Sequence, residues 1–141
     1  VEKNPGFKSL LSVRPELPDL LAAAIVVPGK LIKEKPEVAQ AFVNAKIRGI
    51  RYALDHKDET VALVMKVLKT EDKAGMARSF DDHYKLKLFE PDLNFTDKAI
   101  QDAQESNIKA GSQKAILPLD KIINRKFVEE TLKKLGKYQW R

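Results

Sequence analysis

The chain holds 141 residues, enough for one domain with its own core and too few for two. Apolar residues make up 43% and charged residues 33%, the balance of an ordinary soluble globular body with disorder confined to its ends. Cysteine is absent, which excludes disulfides and thiolate chemistry, and the longest uncharged run, residues 20–29, is about half of what a membrane-spanning helix needs. Net charge is +6, and residues 120–141 supply +4 of it through seven basic and three acidic groups. Because Glu129 and Glu130 are interspersed among them, these cations read as a solvated helix face, with an anionic partner as the alternative. The sequence opens on Val1 without a basic-then-apolar leader, so a targeting segment is expected to have been removed or to lie upstream.

Residues 1–19 carry Pro5-Gly6, Pro15 and Pro18 around a brief apolar alternation at Phe7, Leu10 and Val13, the pattern of a loop with at most a short strand. Residues 20–27 are apolar on both sides, end in Ile25-Val26-Val27 and stop at Pro28-Gly29; this predicts a short buried strand needing cover on both faces. Lys35-Pro36-Glu37 opens a long helix running to about residue 55. Pro36 is tolerated at a first helical position, and Glu37 complements the helix dipole. Ala39, Phe42, Val43, Ile47, Ile50, Ala53 and Leu54 fall on one broad face, while Arg48 and Arg51 project away.

Asp58 is the expected cap of the next helix, whose Val61, Ala62, Leu63, Val64, Met65, Val67 and Leu68 leave only a narrow polar wedge and predict near-engulfment. A third helix is expected over 73–88, aligning Met76, Ala77, Phe80, Tyr84 and Leu88 and ending before Glu90-Pro91. Thr96 caps a fourth, carrying Ala99, Ile100, Ala103 and Ile108 and closed by Gly111. Pro118 and Asp120 introduce a last pair, 121–124 and 126–135, stopped by Gly136. No internal repeat is visible. The domain division is thus a loop segment over 1–19, one α-rich domain over 20–137 and a tail over 138–141.

The order of these pieces resembles the last third of the substrate-binding proteins of ABC importers, especially the group handling taurine, sulfonates, nitrate and thiamine-pyrimidine precursors. The resemblance is carried by the strand, short helical turn and Lys35-Pro36-Glu37 opening, then by Arg48-Gly49-Ile50-Arg51-Tyr52-Ala53 and Thr60-Val61-Ala62-Leu63-Val64. It continues through Phe95-Thr96, Ala99-Ile100-Gln101, Lys109-Ala110-Gly111, Pro118-Leu119-Asp120-Lys121-Ile122-Ile123 and Phe127-Val128-Glu129-Glu130. It implies a mainly α chain with one or two short strands, an α/β remnant forming the C-terminal portion of a two-lobed periplasmic-binding-protein fold. Such proteins close two lobes on a small solute, here expected to be anionic or zwitterionic, and then dock on a membrane permease. The implied location is periplasmic or extracytoplasmic at the membrane, with no catalysis and no cofactor. The family's N-terminal half, which supplies most of the ligand cleft, has no counterpart in these residues.

Chemistry-bearing residues are few. His56 and His83 show no metal-ligand spacing, and Asp81-Asp82-His83-Tyr84 reads as a helix edge rather than an acid–base dyad. No metal site is expected. Lys46 projects into the middle of an apolar helix face, where it snorkels or pairs with a carboxylate, a ligand-facing role being the alternative. Gln104 and Asn107 interrupt the apolar side of their helix, and buried amides of this kind satisfy backbone groups. Arg14, Glu16 and Asp19 are the candidate ligand-binding residues, placed in the Pro-punctuated loop before the expected strand; solvated charges are the competing reading. Gly29-Lys30 lacks the glycine spacing of a phosphate loop. Tyr138 and Trp140 read as an anchor or a frayed end, with base stacking as the alternative.

Two functions compete on this sequence: solute capture for an importer, with no nucleic acid among its partners, and a small basic helical module that binds nucleic acid or a protein. A biosynthetic enzyme sharing the importer fold is disfavoured by the lack of a histidine-rich or cysteine-bearing site. With sheet partners missing, the isolated chain is expected to expose apolar surface and to self-associate or domain-swap.

Overall fold

A computed structural model describes residues 23–140, together with Leu10 and Leu21. Within it the chain is mainly helical: α1 (Gly29–Glu34), α2 (Pro36–Asp55), α3 (Lys57–Leu68), α4 (Lys73–Lys85), α5 (Asp97–Lys109), α6 (Leu119–Ile122) and α7 (Lys126–Leu135). The long α2 is the spine. It packs on α1, α3 and α7, and α3 in turn packs on α4.

Pro36 occupies the first turn of α2 and Glu37 lies beside it, as the sequence pattern requires. The buried members of its apolar face are Ala39, Ile47 and Leu54, seven or eight residues apart, the repeat of a single stripe on a 3.6-residue helix. Ile47 is fully enclosed. Phe42, assigned by periodicity to the same face, stays exposed at its margin. Arg51 does not project away as its helical position suggests; it lies half-buried against the C-terminal segment, as described below.

Side-chain caps form where the chemistry favours them. Asp72 accepts from the Gly75 N–H at 3.0 Å to start α4, and Thr96 accepts from the Ala99 N–H at 3.0 Å to start α5. Helix α3 departs from expectation: it begins at Lys57 with His56 at its N-cap, so Asp58 sits inside the first turn. There Asp58 and Glu59 oppose the positive end of the helix dipole without capping it. Gly111 and Gly136 take the left-handed backbone (φ 74° and 70°) that lets the chain turn sharply after α5 and α7. Helix α4 ends at Lys85, three residues short of expectation, and α6 spans Leu119–Ile122 rather than 121–124.

The largest correction concerns residues 20–27. Among the described residues no strand forms; 23–28 have no regular secondary structure, and Val26 is 89% exposed. A strand exists only when a neighbour takes its N–H and C=O groups, and no described segment does so. Near-engulfment of α3 is also overturned. Only Val61 is buried, while Leu63, Val64, Val67 and Leu68 face outward, Val67 at 70% exposure. A helix apolar nearly all round needs cover on several sides, and α2 and α4 cover one.

Candidate functional site

Arg14, Glu16 and Asp19 lie outside the described residues. The other singled-out groups resolve into structural roles. His56 stacks on Tyr52 with ring centroids 3.9 Å apart, and its Nδ1 lies 2.9 Å from the Tyr52 carbonyl. His83 places Nδ1 2.6 Å from the Ser79 carbonyl and stacks on Phe89 at 5.2 Å. Both rings thus sit on their own helix backbone. Asp81 receives the Lys57 ammonium on both carboxylate oxygens, at 2.6 and 2.7 Å, tying the start of α3 to α4 rather than forming a dyad with His83. Among the described residues no group of three or more His, Asp or Glu could hold a metal ion.

Gln104 behaves as a buried amide must. Its Oε1 accepts from the Leu117 N–H at 2.8 Å and from Gln113 Nε2 at 2.7 Å, and its Nε2 donates to the Leu117 carbonyl at 3.1 Å. The loop after α5 is thereby stitched to the helix. Asn107 is exposed, and its backbone carbonyl rather than its amide closes the turn, accepting from the Ser112 and Gln113 N–H groups.

Two polar assemblies escape sequence reading because their members are far apart in the chain. Arg51 donates to Asp92 at 2.6 Å and to the Gly136 carbonyl at 2.7 Å; the pair's side chains are 15% and 13% exposed. Asp92 also accepts from the Tyr138 N–H, and the Tyr138 hydroxyl donates to Asp55 at 2.8 Å. Partial burial and the Asp55 carboxylate hold the Tyr138 phenol well above the ordinary phenol value. Trp140 then meets Tyr138 and Tyr84 edge-on, at 5.5 and 5.2 Å. Of the readings for the tail, these contacts match the anchor. The second assembly joins α2 to α7: Gln40 donates to Thr131 Oγ1 and to the Phe127 carbonyl, each at 2.9 Å, with Asn44 Oδ1 alongside at 3.0 Å.

The basic excess is partly consumed locally. Arg125 donates to Asp97 at 2.6 Å and to the Phe95 carbonyl, and Lys126 lies 3.9 Å from Glu130.

Two apolar concavities remain. One, of about 310 Å³, lies beside the irregular Ala24-Ile25-Val26-Val27 segment and is floored by Ala39, Val43, Ile100 and Phe127. The other, of about 480 Å³, is a groove between α2, α3 and α4 with walls of Ile50, Leu54, Val61, Val64, Met76 and Phe80. Lys46, Thr60, Ser79 and His83 supply its polar groups. The carboxylate partner expected for Lys46 is not there; the residue is exposed and pairs with no described residue.

No family model, curated protein or solved structure matches this chain.

Proposed function

We propose that this chain is the C-terminal part of the substrate-binding component of an ABC importer, working by lobe closure on a small anionic or zwitterionic solute and docking on a membrane permease. In this reading it operates in the periplasm or at the outer face of the membrane and performs no catalysis. One observation carries it: among the described residues the apolar β-branched segment Ile25-Val26-Val27 pairs with no strand, and Ile25 and Val26 are exposed at the edge of an apolar concavity. Such a segment has the composition of a buried strand and lacks the sheet that would bury it. The element order is the one on which the resemblance rests: a short turn at Gly29–Glu34, the Pro36-headed helix, the Thr96 cap and the Gly136 stop.

The basic-module alternative has less behind it, since Arg125 and Lys126 are occupied by acidic neighbours. Nucleic-acid binding that weakens steeply with salt would nevertheless replace the importer reading.

The test is to read the gene that encodes this chain and titrate its full product with taurine, an alkanesulfonate, nitrate and a pyrimidine phosphate, following thermal stability. A rise in melting temperature with one of these, saturating at one equivalent, is expected. A gene that encodes no second α/β lobe, or a full product that responds to none of them, would contradict the proposal.

A further inference from the structure

We infer that the groove between α2, α3 and α4 is a binding site for an amphipathic anion: an apolar, medium-chain body lying in the groove with its carboxylate or sulfonate head on Lys46. This inference does not depend on the importer reading, because every residue it uses lies within three consecutive helices. The groove volume of about 480 Å³ falls in the range of small-molecule sites. Its walls are aliphatic and aromatic, and Met76 adds a side chain that adapts to irregular shapes.

Most of the polar groups are already committed. The Thr60 hydroxyl donates to the Ala53 carbonyl at 2.9 Å, and His83 Nδ1 is engaged with the Ser79 carbonyl. A polar ligand body would therefore find few partners inside and would lose its hydration. Lys46 is different: it lines the groove with an amine that pairs with no described carboxylate. That combination selects a ligand with one anionic end and an apolar remainder. Gly49 borders open space in the groove: a Cβ built there would meet nothing within 4 Å.

The geometry supplies two separable variants. Lys46→Gln removes the head contact from an exposed position, and Gly49→Leu fills the groove while favouring the helix that contains it. The experiment is an NMR amide titration with decanoate below its micellar range, with decanol and decyltrimethylammonium as matched probes. Sedimentation is run on the same samples. Decanoate is expected to shift the amides of Gly49, Ile50, Val61 and Phe80, and Lys46→Gln to weaken it about tenfold while leaving decanol unchanged. Gly49→Leu is expected to abolish binding of both with its helical circular dichroism intact. Equal binding of decanoate and decyltrimethylammonium would overturn the inference. So would shifts confined to the concavity beside residues 24–27, or peaks that move with protein concentration instead of decanoate, which would place a second copy in the groove.

Discussion

The seam between α2 and α7 and the groove between α2, α3 and α4 share one helix, and they are finished to different degrees. Along the seam Ile47 is fully enclosed, Thr131 is 2% exposed, and Gln40 and Arg51 cross to the other element with hydrogen bonds. Along the groove the contacts are apolar and incomplete; Leu63, Val67 and Leu68 on the far side of α3 have no described neighbour to cover them. Distant polar partners lock a geometry, because each leaves a buried group unpaired if the elements shift. Apolar surface without cover locks nothing and invites a ligand or another copy. The seam is thus the structural half of the molecule, and the groove is the half with surface to offer.

Removing what makes the seam different gives the largest expected loss. Arg51→Ala strands Asp92 in a largely buried position and frees the carbonyls at the end of α7; a cost of about 3–5 kcal/mol is expected in urea unfolding. Ile47→Ala follows at about 2–5 kcal/mol, because the side chain it truncates is fully buried. Tyr138→Phe is expected to cost about 1 kcal/mol near neutrality, the worth of one hydrogen bond. Its pH signature is sharper than its size. The folded phenol is held above its unfolded value, so its contribution is complete below about pH 10 and fades as pH climbs toward the raised value. Wild-type stability should therefore fall on the alkaline side, and Tyr138→Phe should flatten that limb in melts taken from pH 9 upward. Least of all, Leu63→Gln with Val67→Gln on the far side of α3 should leave stability within about 0.5 kcal/mol, since neither side chain is buried.

The helices were legible where the signals are local. Pro36 and Glu37 mark the start of α2, Thr96 caps α5 through its own hydroxyl, and Gly111 and Gly136 end their elements through left-handed backbone. Legibility ended where partners are remote. Nothing in the residues around Arg51 points to Asp92, 41 positions on, and helical projection alone sent the guanidinium to solvent. Gln40 and Thr131 are 91 residues apart, and each alone reads as an ordinary polar surface residue. Asp58 misled for a different reason: an acidic residue near a helix start serves equally as cap or as first-turn charge, and composition does not say which. Residues 24–27 misled because apolar β-branched composition expresses a demand for burial, and whether the demand is met depends on what else is present. Of the candidate site, Lys46 on an apolar helix face was visible beforehand; the groove beside it requires α3 and α4 to be placed.

Concentration-dependent sedimentation of this chain, at micromolar to tens-of-micromolar protein, bears most directly on the idea that its outer apolar face belongs under a cover that these residues do not supply. Association that rises with concentration is expected, falling back to 15.9 kDa in Leu63→Gln/Val67→Gln. A wild-type chain that stays at 15.9 kDa throughout would contradict it.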